Sequence, residues 1–141
     1  MLRLADFLGH WHLTRTIADA LGPGGELIGT AQFSSISGGL DYAEDGWLRM
    51  GSLPAVKASR RYIWRADGAA IDVSFHDGRA FHRFDPVAGQ PEARHECVPD
   101  LYHVTYDFGS WPYWVAKWRV VGPRKDYRMV SRYSMACDRA A

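Results

Sequence analysis

The chain has 141 residues, 47% hydrophobic and 23% charged, with a formal net charge of +1. Those values fit one globular domain with a single core and exclude a disordered chain. Near-neutral charge lacks the strongly basic footprint of a nucleic-acid-binding domain, and no apolar run approaches the ~20 residues of a membrane helix. The stretch from Met1 to Leu13 carries charges and histidines where a secretory leader needs an apolar segment. The expectation is a cytoplasmic protein with neither nucleic-acid nor membrane partners. Cys97 and Cys137 are expected as free thiols in that compartment, with a disulfide between them as the alternative.

In chain order, Leu2 to Leu8 reads as one or two helical turns capping one end of the fold. Strands are predicted at about 10–18, 26–36, 39–50, 56–66, 70–76, 79–85, 93–98, 101–108, 112–121 and 125–135. Turn residues separate them: Gly22 to Gly25, Gly38-Gly39, Asp67-Gly68, Asp77-Gly78, Pro86 to Pro91, Pro99-Asp100 and Gly122-Pro123. Asp-Gly between alternating runs is a strong hairpin signal. Asp45-Gly46 reads either as a further turn or as a bulge within one long strand. Connections this short require antiparallel neighbours. Twist curls so many short strands, and closure removes their edges. The expected fold is all-β: an antiparallel up-and-down β-barrel of about 8–10 strands with a short N-terminal helix, and a sandwich as the alternative.

Side chains alternate across a strand, so parity assigns an interior. Trp11, Leu13, Arg15 and Ile17 share one face, as do Ala58, Arg60, Tyr62 and Trp64. Tyr42 and Glu44 turn inward on the third strand if no bulge intervenes. His95 and Cys97 share a face of the seventh. Tyr102, Val104, Tyr106 and Phe108 do so on the eighth. Trp114, Ala116, Trp118 and Val120 line the ninth, and Tyr127, Met129, Ser131 and Tyr133 the tenth. His10, His12, His76 and His103 fall on outward faces.

An arginine among aromatics needs an anionic or hydrogen-bonding partner, because an unpaired interior charge is costly. Two readings follow. In the first, the interior is a cavity that binds a small, partly apolar anion without a cofactor. Its binding residues would be Arg15, Tyr42, Glu44, Arg60, Tyr62, His95, Tyr102, Tyr106, Trp118, Tyr127 and Tyr133. Trp64, Phe75, Trp114 and Met129 would meet its apolar part. In the second, Glu44 pairs with Arg15 or Arg60, and the tyrosines bond to the protein itself. Catalysis is left open, leaning to none.

Alternatives from other classes rest on different residues. His82, His95, Cys97 and Asp100 could supply zinc ligands, though at no established zinc spacing, and an inward His could ligate haem. His95 with Cys97 is a weaker catalytic pair, lacking an evident oxyanion site. Trp111-Pro112-Tyr113-Trp114 could be an exposed interaction surface or a cap on the barrel end. In Gly122 to Tyr127, Arg124 and Lys125 stand at a hairpin tip or barrel mouth. Asp126 is expected to lock that turn and Lys125 to be solvated.

Two resemblances bear on the fold. Gly9-His10-Trp11 with Arg15 resembles the first-strand Gly-x-Trp of lipocalins and related calycin barrels. That likeness implies a Trp packed across the closed end against a late-strand arginine, here Arg124 or Arg132. Asp77-Gly78-Arg79-x-Phe81-His82-x-Phe84, His95-x-Cys97-x-x-Asp100-x-Tyr102 and Gly122-Pro123-Arg124-Lys125-Asp126-Tyr127 resemble a bacterial family of short single-domain proteins. The resemblance implies a lipocalin-like barrel over nearly the whole chain and no particular activity.

Overall fold

Alternating burial runs through nearly every strand, and it wraps the sheet around one interior. The computed structural model describes residues 1–89 and 91–136. A 3-10 turn, Leu4–Phe7, precedes ten strands. They are β1 (Gly9–Asp19), β2 (Gly25–Ile36), β3 (Gly39–Met50), β4 (Val56–Asp67) and β5 (Ala70–Phe75), then β6 (Ala80–Phe84), β7 (Glu92–Cys97), β8 (Asp100–Ser110), β9 (Tyr113–Gly122) and β10 (Lys125–Met135). All lie in one antiparallel sheet in the order β6-β5-β4-β3-β2-β1-β10-β9-β8-β7. The first and last strands pair along their length, Trp11 opposite Met135 and Asp19 opposite Tyr127.

The seam falls between β6 and β7. Among the described residues it is bridged by side chains, with the Phe81 and His95 rings 5.2 Å apart at 90°. The barrel is therefore nearly closed. β3 runs unbroken through Asp45-Gly46, where Gly29 pairs with Gly46 across the ladder. A Cβ on Gly29 would stand 2.1 Å from the Asp45 carbonyl oxygen, so the strands approach there as only glycine allows. Gly68 and Gly78 take φ of +61° and +94° in their Asp-Gly turns, a region that glycine adopts at little cost. Among the described residues no helix is long and apolar enough to cross a membrane.

The two ends of the barrel differ. At one, Phe7 is driven into the interior and meets Phe33, Trp64, Phe108, Trp111 and Trp114 at ring-centroid distances of 4.9 to 5.7 Å. Trp11 donates its indole N–H to the Phe7 carbonyl at 2.8 Å, satisfying a buried polar group. The expected N-terminal helix is thus a 3-10 turn that plugs this end. The arginine expected over Trp11 is not there. Arg132 is exposed opposite Thr14, and Arg124 is exposed in the turn after β9, at the other end of the barrel. Trp111 and Trp114 cover Trp11 instead. Trp111 belongs to the plug, while Tyr113 is 40% exposed.

Candidate functional site

The other end opens onto a cavity of about 280 Å³. Every residue expected to bind lines it: Arg15, Tyr42, Glu44, Arg60, Tyr62, His95, Tyr102, Tyr106, Trp118, Tyr127 and Tyr133. So do Trp64, Phe75, Trp114 and Met129, as well as His82 and Cys97. Parity alone brings most of them together, since each occupies an inward position of its strand.

Arg15 settles the question of its partner. Its two terminal nitrogens donate to the Glu44 carboxylate at 2.7 and 2.9 Å, and Nε donates to the Ser131 hydroxyl at 2.7 Å. The bidentate geometry is the strong form of this pairing. Burial opposes the charge on Arg15, but the Glu44 bonds outweigh it and raise its pKa. Burial likewise pushes Glu44 upward, and the Arg15 bonds overcome that and hold it below the ordinary carboxylate value. Both groups are charged, and the pair is neutral as a whole. Tyr42 donates to Glu44 at 2.6 Å and meets the Tyr133 hydroxyl at 2.9 Å. Burial raises both phenols, Tyr133 to about 12. Arg15 and Glu44 thus form a satisfied network in the cavity wall, with Arg15 held by the protein itself.

Arg60 is different. It stands directly opposite Glu44 on the neighbouring strand, yet it is exposed. Among the described residues it has neither a hydrogen-bonded nor an ion-paired carboxylate. Tyr127 feels its charge, and Tyr62, Tyr102, His95 and Cys97 line the same cavity. Lys125, expected to be solvated, keeps an exposed side chain and in addition pairs with Asp100 at 2.9 Å and reaches the Tyr102 hydroxyl at 3.5 Å. The Asp100 bond raises the Lys125 pKa. Asp126 pairs with Arg119 at 2.8 Å, bracing β9 to β10 rather than locking the turn. Among the described residues, Arg60 therefore lines the cavity as a cation without a bonded carboxylate.

One wall departs from simple alternation. The β5–β6 register shifts between Val73 and Ser74: Val73 pairs with His82 and Ser74 with Ala80, leaving Phe81 as the extra residue. A bulge re-aims side chains, and here consecutive Phe81 and His82 are both buried in the cavity wall. Phe81 stacks on Phe75 (4.5 Å, 23°) and on Trp118 (5.3 Å, 13°). Parity reasoning missed Phe81 as a lining residue; the Phe81-His82 pair beside the Asp77-Gly78 turn was the available signal. His82 Nε2 lies 2.8 Å from the Tyr106 hydroxyl. Burial, aided by His95, lowers the His82 pKa to about 3, so its ring is neutral. Among the described residues no three His, Cys, Asp or Glu side chains converge as a metal set, so His82, His95 and Cys97 share a cavity without forming a ligand triad. The alternative disulfide involves Cys137, which lies outside the described residues.

Comparison with known proteins gives a family and a fold. Residues 7–135 match the model of DUF6314, a family of unknown function, and the chain belongs to that family. No curated protein matches the sequence. Among solved structures, the barrel is similar to the S-type phycobiliprotein lyase CPES from Guillardia theta, with a TM-score of 0.67 and 8% identity. The likeness covers 96% of this chain and 92% of the lyase chain, and at that identity it shows a shared lipocalin-like fold alone.

Proposed function

We propose that the barrel binds a compact, partly apolar anion, with the anionic group at Arg60 and the apolar body against Phe75, Phe81, Trp118 and Met129. One observation carries this reading: Arg15 is neutralised by Glu44 whereas Arg60, over the same cavity, has no bonded carboxylate among the described residues. A guanidinium presents a planar donor fork suited to a carboxylate. Tyr127, within reach of the Arg60 charge, offers a hydroxyl to the same group. The volume of about 280 Å³ lies just below the ~300–1,000 Å³ of small-molecule sites, which favours a compact ligand over an extended one. The barrel likeness to a phycobiliprotein lyase supports a pocket-bearing fold and leaves the ligand to the residues that line it.

Native mass spectrometry of the protein isolated from its own host tests the proposal. The expected spectrum contains a one-to-one adduct of a small acid that is released on denaturation. A bare protein mass, together with no saturable binding across a panel of aryl and alkyl carboxylates, contradicts it.

A further inference from the structure

The inner end of the cavity specifies a second group on the ligand, an inference that rests on the anion reading. Tyr42 has one hydroxyl proton, given to the ionised Glu44 at 2.6 Å. Across the 2.9 Å contact Tyr42 can then only accept, so Tyr133 donates to it. With its proton committed, Tyr133 has only lone pairs to offer a ligand. Arg15 lines the same region and has five N–H groups, of which Ser131 and Glu44 take three, leaving donors in reserve.

Tyr106 lies 2.8 Å from Nε2 of neutral His82. In one imidazole tautomer Tyr106 gives its proton to Nε2 and keeps lone pairs. In the other it receives from Nε2–H and can donate inward. A neutral hydroxyl, at once donor and acceptor, suits Tyr133 and Arg15 under either tautomer. A carbonyl, ether or second carboxylate could accept from Arg15 but would leave the lone pairs of Tyr133 without a donor, and an ammonium would face the Arg15 charge.

The walls limit the body between the two ends. Phe75, Phe81 and Trp118 stack in sequence at interplanar angles of 23° and 13°, forming a face built from near-parallel rings. Arg60 stands two residues nearer the mouth than Tyr62, the ladder partner of Tyr42. Two residues of strand advance about 6.6 Å, close to the length of one substituted ring.

We propose that the ligand is a flat aryl carboxylate bearing a hydroxyl at the end remote from its acid, the acid at Arg60 and the hydroxyl at Tyr133.

The protein is titrated with 4-hydroxybenzoate, 4-methoxybenzoate and benzoate, read by calorimetry and by quenching of tryptophan fluorescence. The 4-hydroxy compound is expected to bind at least tenfold more tightly than the other two. Tyr133→Phe keeps the ring and is expected to narrow that preference to less than threefold. Tyr106→Phe serves as the second variant if thermal unfolding shows Tyr133→Phe to be unfolded. Equal affinity for the three compounds, all weakened by Arg60→Gln, overturns the hydroxyl assignment and leaves the anion site standing. An undiminished preference in both tyrosine variants also overturns it. No saturable binding of any compound removes the anion reading as well.

Discussion

Arg15 and Arg60 line one cavity and flank one carboxylate, yet they belong to different regimes. Arg15 sits in the buried wall, 5% exposed, and reaches Glu44 past a strand whose inward positions include Gly29 and Ala31. Arg60 is paired in register with Glu44 but extends to the open end. The buried arginine is charge-paired by the protein, and among the described residues the exposed one is not. An inward register position thus does not separate a buried, paired arginine from an exposed one. Depth and the available counter-charge do.

The largest expected effect falls on the buried side. Glu44→Gln keeps the shape and leaves Arg15 charged without a counter-ion, which should cost about 3–5 kcal/mol in urea unfolding. A loss below about 1 kcal/mol would show that Arg15 has another anionic partner. Removing both charges as Arg15→Met with Glu44→Leu should be less damaging than Glu44→Gln alone, because no charge remains buried.

The next effect is a pH slope. Folded His82 stays neutral down to about 3, whereas in the unfolded chain it takes a proton near 6.5. Between those values the unfolded state binds more protons, so stability falls as pH falls, by on the order of 4 kcal/mol near the bottom of the window. The depressed pKa of Glu44 also costs stability in acid, but only below the ordinary carboxylate range. His82→Phe should therefore flatten the stability curve between about pH 6.5 and 5 and leave the steeper acid limb. An unchanged slope there would place the titrating group elsewhere. Smallest of all, Arg60→Gln should alter unfolding free energy by no more than about 0.5 kcal/mol, the scale of a surface substitution. A larger loss would make Arg60 structural, like Arg15.

Much of this contrast is legible in sequence because side-chain alternation is a local rule. Asp-Gly turns and period-2 patterning locate all ten strands, and parity places Arg60, Tyr62, Tyr102 and Tyr127 around one cavity. Where local rules end, the reading ends too. Which arginine Glu44 takes depends on how β1 and β3 curl together across β2, which the alternation within any single strand does not encode. The bulge that turns both Phe81 and His82 inward breaks the alternation on which parity depends. Trp11 finds its partners in Phe7 and Trp111 because the 3-10 turn folds into the barrel, whereas a late-strand arginine would have had to come from an outward face. Lys125 looks solvated in a turn sequence, and only the β8–β9–β10 stack brings Asp100 to it.

The most direct test titrates benzoate into the wild type and into Arg60→Gln, by calorimetry at fixed ionic strength. Arg60 as the anion's partner predicts a loss of roughly tenfold or more in affinity, as expected for a charge-assisted hydrogen bond, with unfolding unchanged. Equal affinity in the two proteins would contradict the assignment of Arg60 as the binding cation.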